Sequence, residues 1–283
     1  MTTRTLAHKE TATNEMVGAY KIKNVLPTRN IRQIDPFLLI HHMKPALLKP
    51  GENNRIPPHP HAGFEVVTYL LDGSFFHRDS KGNDVVAKGG DINWMSSGTG
   101  LMHSEGPSES MVKDGGTIQL LQVWINLPAD KKKLDPTFRH YQGSGFPVTE
   151  NDGSQIKVLI GSLDEKKSPV VTQTPMFFYH IKLKAGKLLT IPVEPADTAA
   201  LYVLEGSLKV LNETIETGDL ADFAIDGDQL VFTAVKDADL IVFGGTPIKE
   251  KMVSYGPFVM NSFEEVQDAI QRYESGAMGT LDS

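Results

Sequence analysis

From Tyr20 to about Leu127 the chain is a series of short apolar runs cut by Gly, Pro, Asn and Asp. They include Phe37 to Ile40, Phe64 to Leu71, Asp84 to Ala87, Asp91 to Met95 and Ile118 to Leu127. Runs of strand length at this spacing, with no long 3.6-period segment between them, predict an all-β barrel or sandwich. Pro128 to Pro147 is polar, charged and turn-rich, and reads as a crossing between domains. A second strand-rich stretch runs through Ile156 to Ile160, Phe177 to Leu183, Leu188 to Pro192, Ala199 to Leu204, Leu208 to Leu211, Leu230 to Ala234 and Leu240 to Phe243. It predicts another barrel. After Ser262 the period changes: Phe263, Val266, Ala269, Ile270 and Tyr273 follow helical spacing, and Ser262 with Glu265 fits a capping box.

The halves also echo each other. Tyr69-Leu70-Leu71-Asp72-Gly73-Ser74 matches Tyr202-Val203-Leu204-Glu205-Gly206-Ser207, and Gly90-Asp91 matches Gly218-Asp219. Such self-similarity predicts a duplicated barrel. The expected division is a first barrel over 1–130, a crossing over 131–155, and over 156–283 a second barrel that ends in the short helix.

Composition narrows the chemistry. A length of 283 residues with 40% hydrophobic content suits two domains. The formal charge of -7, from 28 basic and 35 acidic residues, argues against direct nucleic-acid binding. The one basic run, Lys131-Lys132-Lys133, reads as a solvated loop. Cysteine is absent, which excludes disulfides, thiolate nucleophiles and thiolate metal sites, so any metal must rest on His, carboxylate, amide oxygen or water. No apolar stretch reaches the ~18 residues of a membrane span, and the N-terminus has no apolar leader segment; a cytoplasmic protein without membrane contact is the expectation.

The candidate chemistry lies in two short patterns. In Pro57-Pro58-His59-Pro60-His61, residues i and i+2 of a strand share a face, so His59 and His61 present two imidazoles side by side. Pro60 lacks a ladder donor and places this segment at a sheet edge. His103-Ser104-Glu105 puts a third imidazole and a carboxylate on one face of another strand. Three neutral nitrogens and one anionic oxygen suit a first-row divalent ion with one or two open positions. Fe(II) is the first choice, with Mn, Ni, Cu and Zn open. The repeat gives an internal control: the corresponding offsets in the second half fall on Pro192, Glu194, Val231 and Thr233, and His180 is the only histidine after His140. One metal ion, in the first barrel, is expected. Trp94, Met95 and Phe64 are expected to pack the barrel, at most one of His41 and His42 to face the pocket, and His77 to sit on a hairpin beside Arg78 and Asp79.

The segments His59 to Ser74 and Gly90 to Glu105 resemble the hallmark of the pirin family within the cupin superfamily, and Ser254 to Asn261 resembles its C-terminal signature. The resemblance implies two tandem cupin (jelly-roll) β-barrels, with iron in the first on His59, His61, His103 and Glu105. It also implies oxygen-dependent cleavage of quercetin or a related flavonol or enol, with Glu105 or Glu65 managing a proton. The family pattern favours Glu105 as the carboxylate ligand, with Glu65 behind it or as an alternate. The family's usual Arg after the second histidine is Ala62 here, which removes a cation. The alternative expectation is a non-catalytic metal- or redox-sensing regulator that binds a partner protein.

Overall fold

The computed structural model describes residues 1–281. The chain forms two compact β-units, each assembled from separated stretches. The first barrel consists of Asn14–Lys23, Leu39–Ser144 and the C-terminal stretch from Ile248. The second consists of Met1–Thr13, Asn24–Leu38 and Gly145–Pro247. These stretches differ from the consecutive division expected at 130 and 155 in where the two termini fall. The N-terminal strand Leu6–Thr11 pairs with Asp219–Phe223 in the second barrel, whereas the C-terminal helix packs in the first. Strand pairing between termini and distant sheet edges leaves no trace in local periodicity. Among the described residues no helix is long and apolar enough to cross a membrane.

The first barrel is built on two sheets. One runs in the order Thr137–Tyr141, Ile92–Ser96, Phe64–Asp72, Gly116–Asn126, Phe37–Leu48, Tyr20–Leu26, Thr13–Val17. The other runs Ile56–His61, Leu101–Pro107, Ser74–Asp79, Asp84–Lys88. Ile56–His61 is thus an edge strand, as its three prolines require. Thr137–Tyr141 falls within the expected crossing, yet it pairs with Ile92–Ser96 throughout its length. Lys132 is also misplaced by the loop reading: it is buried, and its ammonium donates to Gly63 O (2.6 Å), Asn126 Oδ1 (2.6 Å) and Val259 O (3.0 Å). Three acceptors match the three donors of an ammonium, which is the condition for burying one.

The helix Phe263–Glu274 starts at Ser262, whose hydroxyl accepts from Glu265 N at 3.2 Å. The Glu265 carboxylate reaches back one residue further than a capping box, to Asn261 N at 3.0 Å. Val266 and Ala269 are buried with Ala62, Met102, Phe258, Met260 and Met278, while Phe263 and Tyr273 of the expected stripe are exposed. The helix therefore backs the strands that carry His61 and His103.

The second barrel holds a nine-stranded sheet whose inner face is apolar. Ile156, Val158, Tyr179, Ile191, Leu201, Val203, Leu230, Phe232 and Leu240 belong to one buried cluster. Its N-terminal strand is pinned by Arg4, which is fully buried and donates to the carbonyls of Gly227, Asp197 and Glu194 at 3.0, 2.7 and 2.8 Å. Burial lowers the Arg4 pKa from its ordinary value, with Asp197, Asp226 and Asp228 opposing. Arg4→Met leaves those carbonyls unpaired in the interior and is expected to destabilise this barrel by about 2–4 kcal/mol. A lower urea midpoint for its unfolding transition checks this.

The duplication has a backbone signature. Gly90 N donates to Leu70 O at 2.7 Å, and Gly218 N to the equivalent Val203 O at 2.8 Å. Asp91 Oδ2 accepts from Lys88 N and Asp219 Oδ2 from Glu216 N, both at 2.9 Å. Gly73 and Gly206 both take positive φ, 82° and 89°.

Candidate metal centre

The edge strand Ile56–His61 pairs antiparallel with Leu101–Pro107, and His103 lies directly opposite His59. Pairs opposite each other in a ladder share a face, so His59, His61 and His103 converge. Their ring centroids lie 4.3 to 4.8 Å apart, and one nitrogen from each falls within 4.8 Å of the others. Among the described residues this is the one group of three or more His or carboxylate side chains so arranged. Backbone shape holds it in place: Gly63 has φ 86°, and a Cβ there would collide with the carbonyl oxygen of Val259. Ala62 is buried against the C-terminal segment, with Ala62 N bonded to Pro257 O and Val259 N to Ala62 O. The position where the family carries Arg thus faces away from the imidazoles.

The electrostatics suit a cation. Burial pushes the His61 and His103 pKa values well below the ordinary histidine range, and the neighbouring imidazoles add to this. Both rings are neutral at pH 7, the form that binds metal. His61 Nδ1 and His103 Nε2 are buried without a hydrogen-bond partner. His59 Nδ1 lies 2.8 Å from Pro57 O, an acceptor only, so the proton sits on Nδ1 and the lone pair on Nε2. Buried unpaired nitrogens are costly. One ion shared by three lone pairs satisfies them, and the residues present fit a metal.

Glu105 is buried two residues from His103, and its Oε1 accepts from Gln122 Nε2. It is not among the converging groups, but it is close enough for His59 and His77 to act on it. Burial raises its pKa, with those histidines and Gln122 opposing. A cavity of about 30 Å³ lies beside it, lined by Tyr20, His41, Phe75, Leu120 and Gln122. His41 borders this space, whereas His42 points the other way and meets Gln119 at 3.0 Å, so one of the pair faces the pocket as expected. Trp124 lies 5.2 Å from the His61 ring and 4.4 Å from Phe64, with its indole N–H buried and unpaired.

Glu65 is not brought to the site. Phe64 and Trp124, the latter opposite Val66, both touch His61, so the alternating Glu65 points through the opposite face of the sheet. There it pairs with Ser96, is buried, and is pushed up to about 7 by burial, against donors from Trp94 and Ser96. Trp94 accordingly packs away from the metal candidate, and Met95 is buried on the site's side. His77 lies, as expected, on a hairpin, where Ser74–Asp79 pairs with Asp84–Lys88, and its side chain is buried inside the barrel, 5.4 Å from the His103 ring and stacked on Phe138 at 4.2 Å. The signal was in the sequence: Phe75, His77 and Asp79 alternate with Phe76 and Arg78, a period of two with the titratable residues on the apolar side.

Two cupin-type barrels, the first carrying three convergent neutral imidazoles and the second an apolar interior, define a bicupin with one metal-competent barrel. The chain belongs to the pirin family: the Pirin pattern matches residues 19–125 and the Pirin C-terminal cupin domain matches 178–279. A Pseudomonas aeruginosa protein provisionally named quercetin 2,3-dioxygenase is 34% identical over 248 residues, 87% of each chain. A pirin-like protein of Caulobacter vibrioides is 32% identical over 265 residues, 93% of this chain and 91% of its own. The crystal structure of a quercetin 2,3-dioxygenase from Acinetobacter baumannii matches with a TM-score of 0.95 at 29% identity, covering 99% of this chain and 100% of that one.

Proposed function

We propose that this chain is a metal-dependent dioxygenase that cleaves quercetin or a related flavonol or enol. One divalent ion, Fe(II) first, sits on His59, His61 and His103, with Glu105 as the fourth ligand. The observation that carries the reading is the set of buried imidazole nitrogens that converge without partners; the dioxygenase names of the relatives support the reaction class. When bound, such an ion supplies a Lewis acid for adjacent substrate oxygens and a redox couple for dioxygen.

The chain's residues contribute the rest. Glu105, its pKa raised by burial, is placed to take up the enol proton, and Gln122 orients its carboxylate. The Trp124 and Phe64 rings pack against His61 and hold its imidazole in place. The cavity beside Glu105, about 30 Å³, is room for roughly one water, so the flavonol rings approach from outside, on the edge strand where His59 is partly exposed.

Protein loaded with Fe(II) under anaerobic conditions should consume oxygen in step with loss of flavonol absorbance. Metal-replete protein that consumes none with quercetin and with related enediols overturns the reading. The narrow cavity favours one alternative, a metal-sensing regulator without substrate. A partner retained by the metal-loaded form and released by chelation, with no oxygen uptake, identifies that case.

A further inference from the structure

His77 and Asp79 lie beside the metal candidate, and neither belongs to the proposed ligand set. Their strand, Ser74–Asp79, pairs with Leu101–Pro107 so that Asp79 lies opposite His103 and His77 opposite Glu105. Asp79 is fully enclosed. Its Oδ1 accepts from Lys81 N at 2.9 Å, Asn83 N at 3.2 Å and Asn83 Nδ2 at 3.0 Å; its Oδ2 accepts from Asn83 Nδ2 at 2.8 Å. The remaining neighbour of Oδ2 is His77 Nε2, at 3.0 Å. The other nitrogen of His77 faces His103: the two Nδ1 atoms are 3.5 Å apart, at the outer limit of a hydrogen bond. Stacking on Phe138, with an interplanar angle of 9°, fixes the His77 ring plane.

The order of donors along this chain follows from its carboxylate end. An ionised carboxylate only accepts, so the His77 proton sits on Nε2 and the lone pair on Nδ1. That lone pair faces His103 Nδ1, which must then carry the proton, and the His103 lone pair is left on Nε2. His103 Nε2 is the atom found buried without a partner. A reversed order would put a proton where the ion is to bind.

We propose that His77, anchored by Asp79, is a positioning residue that sets the His103 tautomer and so presents His103 Nε2 to the metal as a lone pair. This rests on the metal reading above. Carboxylate or carbonyl partners behind metal-bound histidines raise affinity in the same way; here the carboxylate acts through an intervening imidazole.

Two measurements test it. Nitrogen-15 histidine NMR of the metal-free protein is expected to place the His103 proton on Nδ1; a proton on Nε2 overturns the proposal without reference to any metal. Co(II) affinity, by competition with a chelator, is then compared for wild type, His77→Phe and His77→Asn. Phe keeps the stacking volume on Phe138 but has no acceptor, and is expected to weaken Co(II) by ~10–100-fold. Asn restores an acceptor near the Nδ1 position and is expected to recover affinity to within about five-fold. A His77→Phe variant with wild-type affinity and an unchanged Co(II) visible spectrum shows a packing role only and overturns the proposal. If His77→Phe does not fold, the Asn variant and the NMR result decide. Wild type that binds no Co(II) overturns the metal reading and this inference with it, an outcome distinct from failure of the variants alone.

Discussion

His103→Leu is expected to weaken divalent-metal binding by about a hundred- to a thousand-fold, while the metal-free variant unfolds no more readily than metal-free wild type. The first part follows from ligand count. Sites with four protein ligands bind with roughly 10–16 kcal/mol, so each ligand contributes about 2.5–4 kcal/mol, or ~10²–10³ in Kd. The second part follows from the buried, unpaired Nε2 of His103. Leucine is of similar bulk and removes an unsatisfied polar atom, whereas alanine would add a cavity. Metal content after dialysis and chelator-competition titration read the first effect, and paired melting curves with and without Co(II) read the second. Loss of the metal-dependent rise in melting temperature, with the metal-free curve unmoved, is the expected pattern. A variant that keeps wild-type affinity would remove His103 from the ligand set. Glu65→Gln is the control. Because Glu65 points through the opposite face of its strand, Co(II) affinity should stay within about three-fold of wild type, and a larger loss would contradict that placement.

The contrast between Glu65 and His103 shows what period-two patterning carries. The convergence of His59, His61 and His103 was legible because His59 with His61, and His103 with Glu105, lie at i and i+2 beside marked turns, and a strand turns that spacing into a shared face. Glu65 was not, because Phe64–Asp72 is buried on both faces over its first seven residues, and a strand without alternation does not declare which side is the interior. His77 lay between these cases. Its hairpin was readable from the neighbouring Arg78 and Asp79, whereas its buried side follows only from the alternation along Ser74–Asp79. The exchange of terminal segments between barrels was illegible for a different reason: Leu6–Thr11 pairs with residues more than two hundred positions away, and no local pattern encodes a partner. The duplicated acid-Gly and Gly-Asp turns, by contrast, reappear as matching hydrogen bonds because each is complete within a few residues of chain and one neighbouring strand.

Lys132→Met is expected to destabilise the first barrel by about 3–5 kcal/mol at neutral pH and to lower metal affinity with it. The ammonium ties together Gly63, which follows the ligand strand, Val259 of the C-terminal stretch and Asn126 at the end of Gly116–Asn126. Removing it leaves three buried acceptors unpaired, each worth roughly 1–3 kcal/mol, partly offset by the apolar replacement. Denaturation midpoints should fall, and Co(II) affinity should fall less steeply than in His103→Leu, because the ligands remain but the turn that holds His61 loosens. The pH dependence gives a second check. Burial pushes the Lys132 pKa down to about 8 from 10.5, against the pull of Glu250 and Glu265. Between those values the unfolded chain binds a proton that the folded chain has released, so this group makes stability rise with pH across that window. The gap between wild type and Lys132→Met should therefore widen from pH 7 toward pH 10. A constant gap would mean that the folded-state pKa lies near 10.5 and that the three acceptors fully compensate for burial.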